Sequence, residues 1–210
     1  MRTGKIVLRS AIIGFVSVLC AFALLVGMMT VFYPKTLFRF TNGLEWNDVS
    51  LYLAKRAYDK DGEIEMLDTA FCLAVETGDV KSTEELATKL LSHPSFPSYA
   101  AKQDAIEESG TTYGEKYGLY KEYVQAELTV AKYKNGNVSG AIEYAYNSVL
   151  YGFSKNNAVI KLTLAIVENG DETSANSLLQ KLSSRSYKNQ EDKTRLDGVR
   201  SLLNGVKQGN

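Results

Sequence analysis

Leu128–Ala141 reads LTVAKYKNGNVSGA, and Leu162–Ala175, 34 residues on, reads LTLAIVENGDETSA. In both, a helical run of apolar residues ends at a Gly-Asx pair, Gly136-Asn137 and Gly170-Asp171, and a second helical pattern starts at once. Glycine closes a helix through the left-handed conformation, and Asn or Asp can cap the next one with its side-chain oxygen. Leu128 and Leu162 stand eight residues before the glycine, Ala141 and Ala175 five after it. Small residues there let two helices of a hairpin approach closely. Asn204-Gly205 follows at nearly the same interval, and Gly62 lies about two such periods before Gly136.

On either side of these segments, helical spacing of apolar residues dominates and alternating strand patterns are scarce. Ile64, Leu67, Phe71 and Ala74 form one stripe; Val80, Ala87, Leu90 and Leu91 form a second; Ala175, Leu178, Leu179 and Leu182 form a third. The spacing predicts helices over 47–60, 63–77, 79–92, 98–109, 113–135, 137–152, 155–169, 171–185 and 190–204. Asp61, Asp79 and Asp171 stand where an N-cap is wanted, and Thr112 with Glu115 and Asn189 with Asp192 fit capping boxes. Pro94 and Pro97 bracket a break. The helices at 113–135 and 155–169 each carry two apolar stripes, so each must be covered on two sides.

At the other end of the chain, Ser10 to Pro34 contains no Asp, Glu, Lys, Arg or His. A helix of about 24 such residues rises ~36 Å, enough to cross a hydrocarbon core of ~30 Å with some tilt. The reading is a basic tail at 1–9, a transmembrane helix at 10–33, a juxtamembrane linker at 34–46, one helical domain at 47–205 and a short tail at 206–210. Arg2, Lys5 and Arg9 precede the span while Lys35 and Arg39 follow it. That balance favours a cytoplasmic N-terminus with the helical domain on the extracytoplasmic side of the cell membrane. Phe32, Tyr33, Phe38, Phe40 and Trp46 read as rings at the membrane–water interface. The alternative is a signal peptide cut after Ala21-Phe22-Ala23, which would release a secreted helical domain able to carry a small hydrophobic ligand.

The formal charge is zero, yet with the five bases before position 40 set aside, 24 acids face 19 of the 24 bases. A mildly acidic domain lacks the clustered basic face that a phosphate backbone demands, so nucleic acid is not an expected partner. Cys20 and Cys72 lie far apart and predict no disulfide. Phosphate-cradling loops, a nucleophile elbow and paired metal-ligand motifs are absent from the sequence. The lone His93 precedes Pro94 in a loop, and Glu84-Glu85 and Glu107-Glu108 are adjacent, so a helix turns each pair apart. The expectation is a protein that is not an enzyme and takes no cofactor or metal.

The 34-residue spacing, Gly136-Asn137 with Gly170-Asp171, and the flanking Leu128, Leu162, Ala141 and Ala175 resemble the tetratricopeptide repeat family, whose unit is a helical hairpin of that length. The resemblance spans residues 47 to 205 in outline and 120 to 185 in register, with departures at Thr129, Thr163 and Lys132. It implies an α-solenoid of about four stacked hairpins and a C-terminal capping helix, so that with the transmembrane helix ahead of it the chain is expected to be all-α. Of the thirteen tyrosines, eight concentrate in the central hairpin, at Tyr113, Tyr117, Tyr120, Tyr123, Tyr133, Tyr144, Tyr146 and Tyr151. Half or more of these belong in the core. In such a stack the first helix of each hairpin lines a concave groove. The resemblance assigns Tyr123, Ala126, Val130, Tyr133 and Lys134 to that groove, with Asn157, Ile160, Leu164 and Val167 beside them. A groove of that composition suits a peptide or helical segment of another protein, and makes the chain a membrane-anchored scaffold.

Overall fold

The computed structural model describes residues 2–110, 120–147, 157–184 and 190–207, and every regular element among them is an α-helix. The chain divides into two compact units, residues 1–73 and 74–210, with the division inside the helix Ile64–Thr77. The first helices of the range 47–205 group with the N-terminal segment in this division.

In the first unit, α1 runs from Arg2 to Phe32. No proline interrupts residues 2–9, so the expected basic tail is helical too. Ile12–Phe32 is long and apolar enough to cross a membrane, and none of it is buried. Its Thr30 hydroxyl is satisfied by the Val26 carbonyl at 2.9 Å. The expected linker at 34–46 is in fact mostly helix: α2 spans Pro34–Gly43. Pro34 has no N–H to lose in a first turn and its fixed φ suits a helix start, which is why an element begins inside the expected linker. The helix closes with Glu45 in the left-handed region at φ 57°, and the N–H groups of Glu45 and Trp46 bond to the carbonyls of Asn42 and Thr41. The next helix, α3 (Asn47–Asp61), packs against α2. Buried Ser50 donates to the Thr41 hydroxyl at 3.0 Å, which donates in turn to the Phe38 carbonyl. Phe38 is buried with them, whereas Phe40 and Trp46 are exposed. Asp61 is the last residue of α3 and not a helix cap, because the chain turns at Gly62 before α4 (Ile64–Thr77) begins.

The second unit holds α5 (Val80–Ser92), α6 (Phe96–Gly110), α7 (Tyr120–Lys134), α8 (Val138–Asn147), α9 (Ala158–Glu168), α10 (Glu172–Ser183) and α11 (Gln190–Lys207). These match the sequence reading to within a few residues where the chain is described. Thr112, Glu115 and Asn189 of the expected capping boxes, and Tyr113, Tyr117 and Tyr151, lie outside the described residues. Three turns share one geometry. At Gly78, Gly136 and Gly170, φ is 70°, 85° and 60°, and the following Asx N–H reaches back to the carbonyl of Ala74, Lys132 and Ile166. Only glycine takes that φ without a Cβ penalty. The Asx side chain then caps the next helix: Asp79 accepts from the Ser82 N–H, Asn137 from Gly140 and Asp171 from Ser174, at 3.1, 3.0 and 3.0 Å.

α7 pairs with α8 and α9 with α10; α7 also packs along α5 and α9, and α11 covers α9 and α10. The core runs through Ala126, Ile142, Val159, Leu162, Ile166, Leu178, Leu182, Leu196 and Leu203, with Ala141 and Ala175 fully buried in it. Of the two apolar stripes of α9, Val159, Leu162 and Ile166 are buried, whereas the other stays partly open: Ile160 packs at the edge of the core, Val167 is half-buried and Leu164 is exposed.

Candidate functional site

Along α7, Tyr123, Glu127, Val130 and Lys134 follow i, i+4, i+7, i+11 and share a face. Along α9 the same register gives Asn157, Lys161, Leu164 and Glu168, each 34 residues after its counterpart. The two helices lie side by side, so the stripes are neighbours. Glu127 and Lys161, equivalent positions in the two hairpins, form an ion pair across them. Lys161 Nζ also lies 5.3 Å from the Tyr123 ring centroid, where the ring face attracts a cation.

Of the nine residues assigned to the groove, six keep surface here. Tyr123, Val130, Ile160 and Val167 are half-buried, Lys134 is exposed, and Leu164 is 46% exposed. The other three are taken up by the fold. Ala126 is fully buried in the core. Tyr133 is buried, and its hydroxyl donates to Asp171 Oδ2 at 3.1 Å, tying α7 to the turn between α9 and α10. Asn157 is the N-cap of α9, its Oδ1 accepting the Val159 N–H at 2.9 Å. A cap must sit where the first turn needs it, so Asn157 faces the helix end and not a ligand. Val130 and Lys134 also line a shallow depression of about 80 Å³ with Val75, Val80 and Glu127.

A larger cleft of about 430 Å³ escaped the sequence reading. Gln125 and Lys132 of α7 and the stripe Gly140, Glu143, Tyr144 and Asn147 of α8 line it. That polar i, i+3, i+4, i+7 stripe was the available signal. Its charges are engaged: Lys132 pairs with Glu84 at 3.3 Å and Glu143 with Lys181 at 2.6 Å. Hydrogen bonds from Lys181 and Asn147 hold the Glu143 carboxyl below its ordinary range, and its partner Lys181 is raised. Burial raises the Tyr144 phenol, partly offset by a hydrogen bond with Gln125. Elsewhere, burial and then the Asp104 charge push the Glu122 carboxyl up, while the Ser174 hydroxyl and N–H lower Asp171. Each of these shifts traces to a cap, an ion pair or burial within the helical framework. His93 Nδ1 accepts the Ser95 N–H at 3.2 Å. Among the described residues no three His, Cys, Asp or Glu side chains gather as a metal site, and Cys20 and Cys72 form no disulfide.

Comparison of the chain with protein families, with curated proteins and with solved structures returns no match.

Proposed function

We propose that the chain is a single-pass membrane protein whose tetratricopeptide-like stack of helical hairpins holds a protein or peptide partner at the membrane. The observation that carries this reading is the 21-residue stretch Ile12–Phe32, an apolar helix with no buried residue. Such a surface has no place in water, because each apolar side chain left exposed forgoes about 1.5–3 kcal/mol of burial. In this reading residues 1–9 are cytoplasmic, α1 is the anchor, and the hairpins stand on the extracytoplasmic face. Three turns of one geometry, two of them 34 residues apart, support the repeat reading. The stripe supports partner binding: Tyr123, Val130 and Leu164 offer apolar surface, Glu127 and Lys161 pair with each other, and Lys134 and Glu168 stand exposed at its end. A partner would therefore meet rings and aliphatic side chains, which favours an amphipathic segment over a phosphorylated or strongly acidic one.

Site-specific photocrosslinking in native membranes tests the face. A photoreactive residue at Leu164 or Val130 is expected to yield a discrete adduct, and one at exposed Glu172 on α10 is not. Equal labelling at all three positions, or none at Leu164, overturns the assignment. N-terminal sequencing of the mature protein is expected to recover the apolar segment; a chain starting at Leu24 would instead indicate release by cleavage.

A further inference from the structure

Outside the spanning stretch, the large apolar side chains left open to solvent are concentrated in one short run. Tyr33, Phe40, Leu44, Trp46, Val49 and Tyr52 are 45–65% exposed, whereas beyond residue 73 only Leu164 and Leu202 among the described residues are comparable. Single exposed apolar residues are ordinary, but a run of them marks a contact surface. This one begins immediately after Phe32, where α1 ends.

The hairpin that bears it is fastened to that end of α1. Lys60 Nζ, near the end of α3, donates to the Phe32 carbonyl at 2.6 Å and lies 5.9 Å from the Tyr33 ring centroid. Lys35 at the start of α2 pairs with Glu63. Thr41 and Ser50 lock the two helices together near their connecting turn. α2 has ten residues, a rise of ~15 Å, so no part of the hairpin is far from the end of the span.

We infer that the α2–α3 hairpin rests on the headgroup layer of the same bilayer that α1 crosses, with Phe40, Leu44, Trp46 and Val49 dipped into the interface. This placement rests on the membrane reading above. Rings such as Trp and Tyr, apolar in body and polar at one atom, are favoured at that depth. The occupant is the lipid itself and not its charge. Residues 33–52 carry Lys35 and Arg39 against Glu45 and Asp48, two of each sign, so the attachment is independent of anionic lipid.

Trp46 is the only tryptophan in the chain, so its emission reports this position alone. The full-length protein is reconstituted into phosphatidylcholine vesicles, with and without anionic lipid, whose acyl chains are brominated near the headgroup or near the bilayer centre. The expected result is blue-shifted Trp46 emission that falls about two-fold with the shallow bromines, in equal degree with or without anionic lipid, as for a ring seated at the headgroup level. Water-like emission, quenched by aqueous iodide and untouched by bromolipid, overturns the inference. Protection that appears only at high protein-to-lipid ratio also overturns it, by assigning the surface to a second copy. A Phe22→Trp probe in a Trp46→Phe background separates the two levels. If Trp at 22 is quenched by the deep bromines while Trp46 is not, the hairpin placement fails alone; if neither is quenched, the membrane reading fails with it.

Discussion

Asn137 and Gly140 occupy the positions that Asp79 and Ser82, and Asp171 and Ser174, occupy at the other two turns. In those two, the serine hydroxyl donates to the second carboxylate oxygen at 2.5 Å, a bond that the Asn137–Gly140 turn cannot make. A Cβ on Gly140 would come within 2.6 Å of the Asn137 side chain, so Gly140→Ser alone must push that amide aside. Asn137→Asp together with Gly140→Ser is expected to rebuild the box and, by removing a helical glycine, stabilise the protein by about 1 kcal/mol. Thermal unfolding of the double variant against each single one checks this, the Gly140→Ser single gaining less. Two carboxyls give opposite pH responses. Asp171 is held below its ordinary 3.8 by Ser174, so its contribution is present above that value and is lost as pH falls through the lowered one. Glu122 is raised above 4.5 by burial and Asp104, so folding loses stability as pH rises through the raised value. Melting across about pH 3 to 7 should show Asp171→Asn flattening the acid limb and Glu122→Gln removing the loss on the other side.

At the scale of the helix, residues two apart on α9 differ in kind. Leu162 is fully buried and Leu164 is 46% exposed. Leu162→Ala is expected to cost about 3 kcal/mol through the cavity it leaves, and Leu164→Ala less than about 0.5 kcal/mol. Chemical denaturation measures both, and only the second variant should remain folded while losing partner binding. The sequence made most helices readable because two independent signals coincided: Gly-Asx pairs marked the breaks at 136 and 170 and the N-cap Asp79 the one before α5, and 3.6-residue stripes filled the intervals. α2 escaped because Pro34, Asn42 and Gly43 signal breaks when read singly, although proline at the head of a helix is compatible with it. Glu45 gave no warning of a left-handed φ, since nothing local prefers it there; the bond from Trp46 to Thr41 imposes it. Three residues assigned to the groove, Ala126, Tyr133 and Asn157, are buried by the fold for a related reason. Periodicity defines which residues share a stripe, but which stripe a neighbouring helix covers depends on packing that sequence spacing does not encode.

For the whole molecule, the sequence separated an uncharged leading segment from a helical remainder, and the structure adds that α2, α3 and most of α4 group with the leading segment. The anchor reading ties these observations together. It makes the bare surface of Ile12–Phe32 a lipid-facing one, and it gives the exposed run from Tyr33 to Tyr52 a place to rest. It also requires that attachment survive conditions that strip peripheral proteins, because an inserted helix is held by buried apolar area and not by charge. Extraction of native membranes with alkaline carbonate, followed by sedimentation, reads this directly. The full-length protein is expected wholly in the pellet, and a chain lacking residues 1–32 in the supernatant; full-length protein released into the supernatant would contradict the anchor.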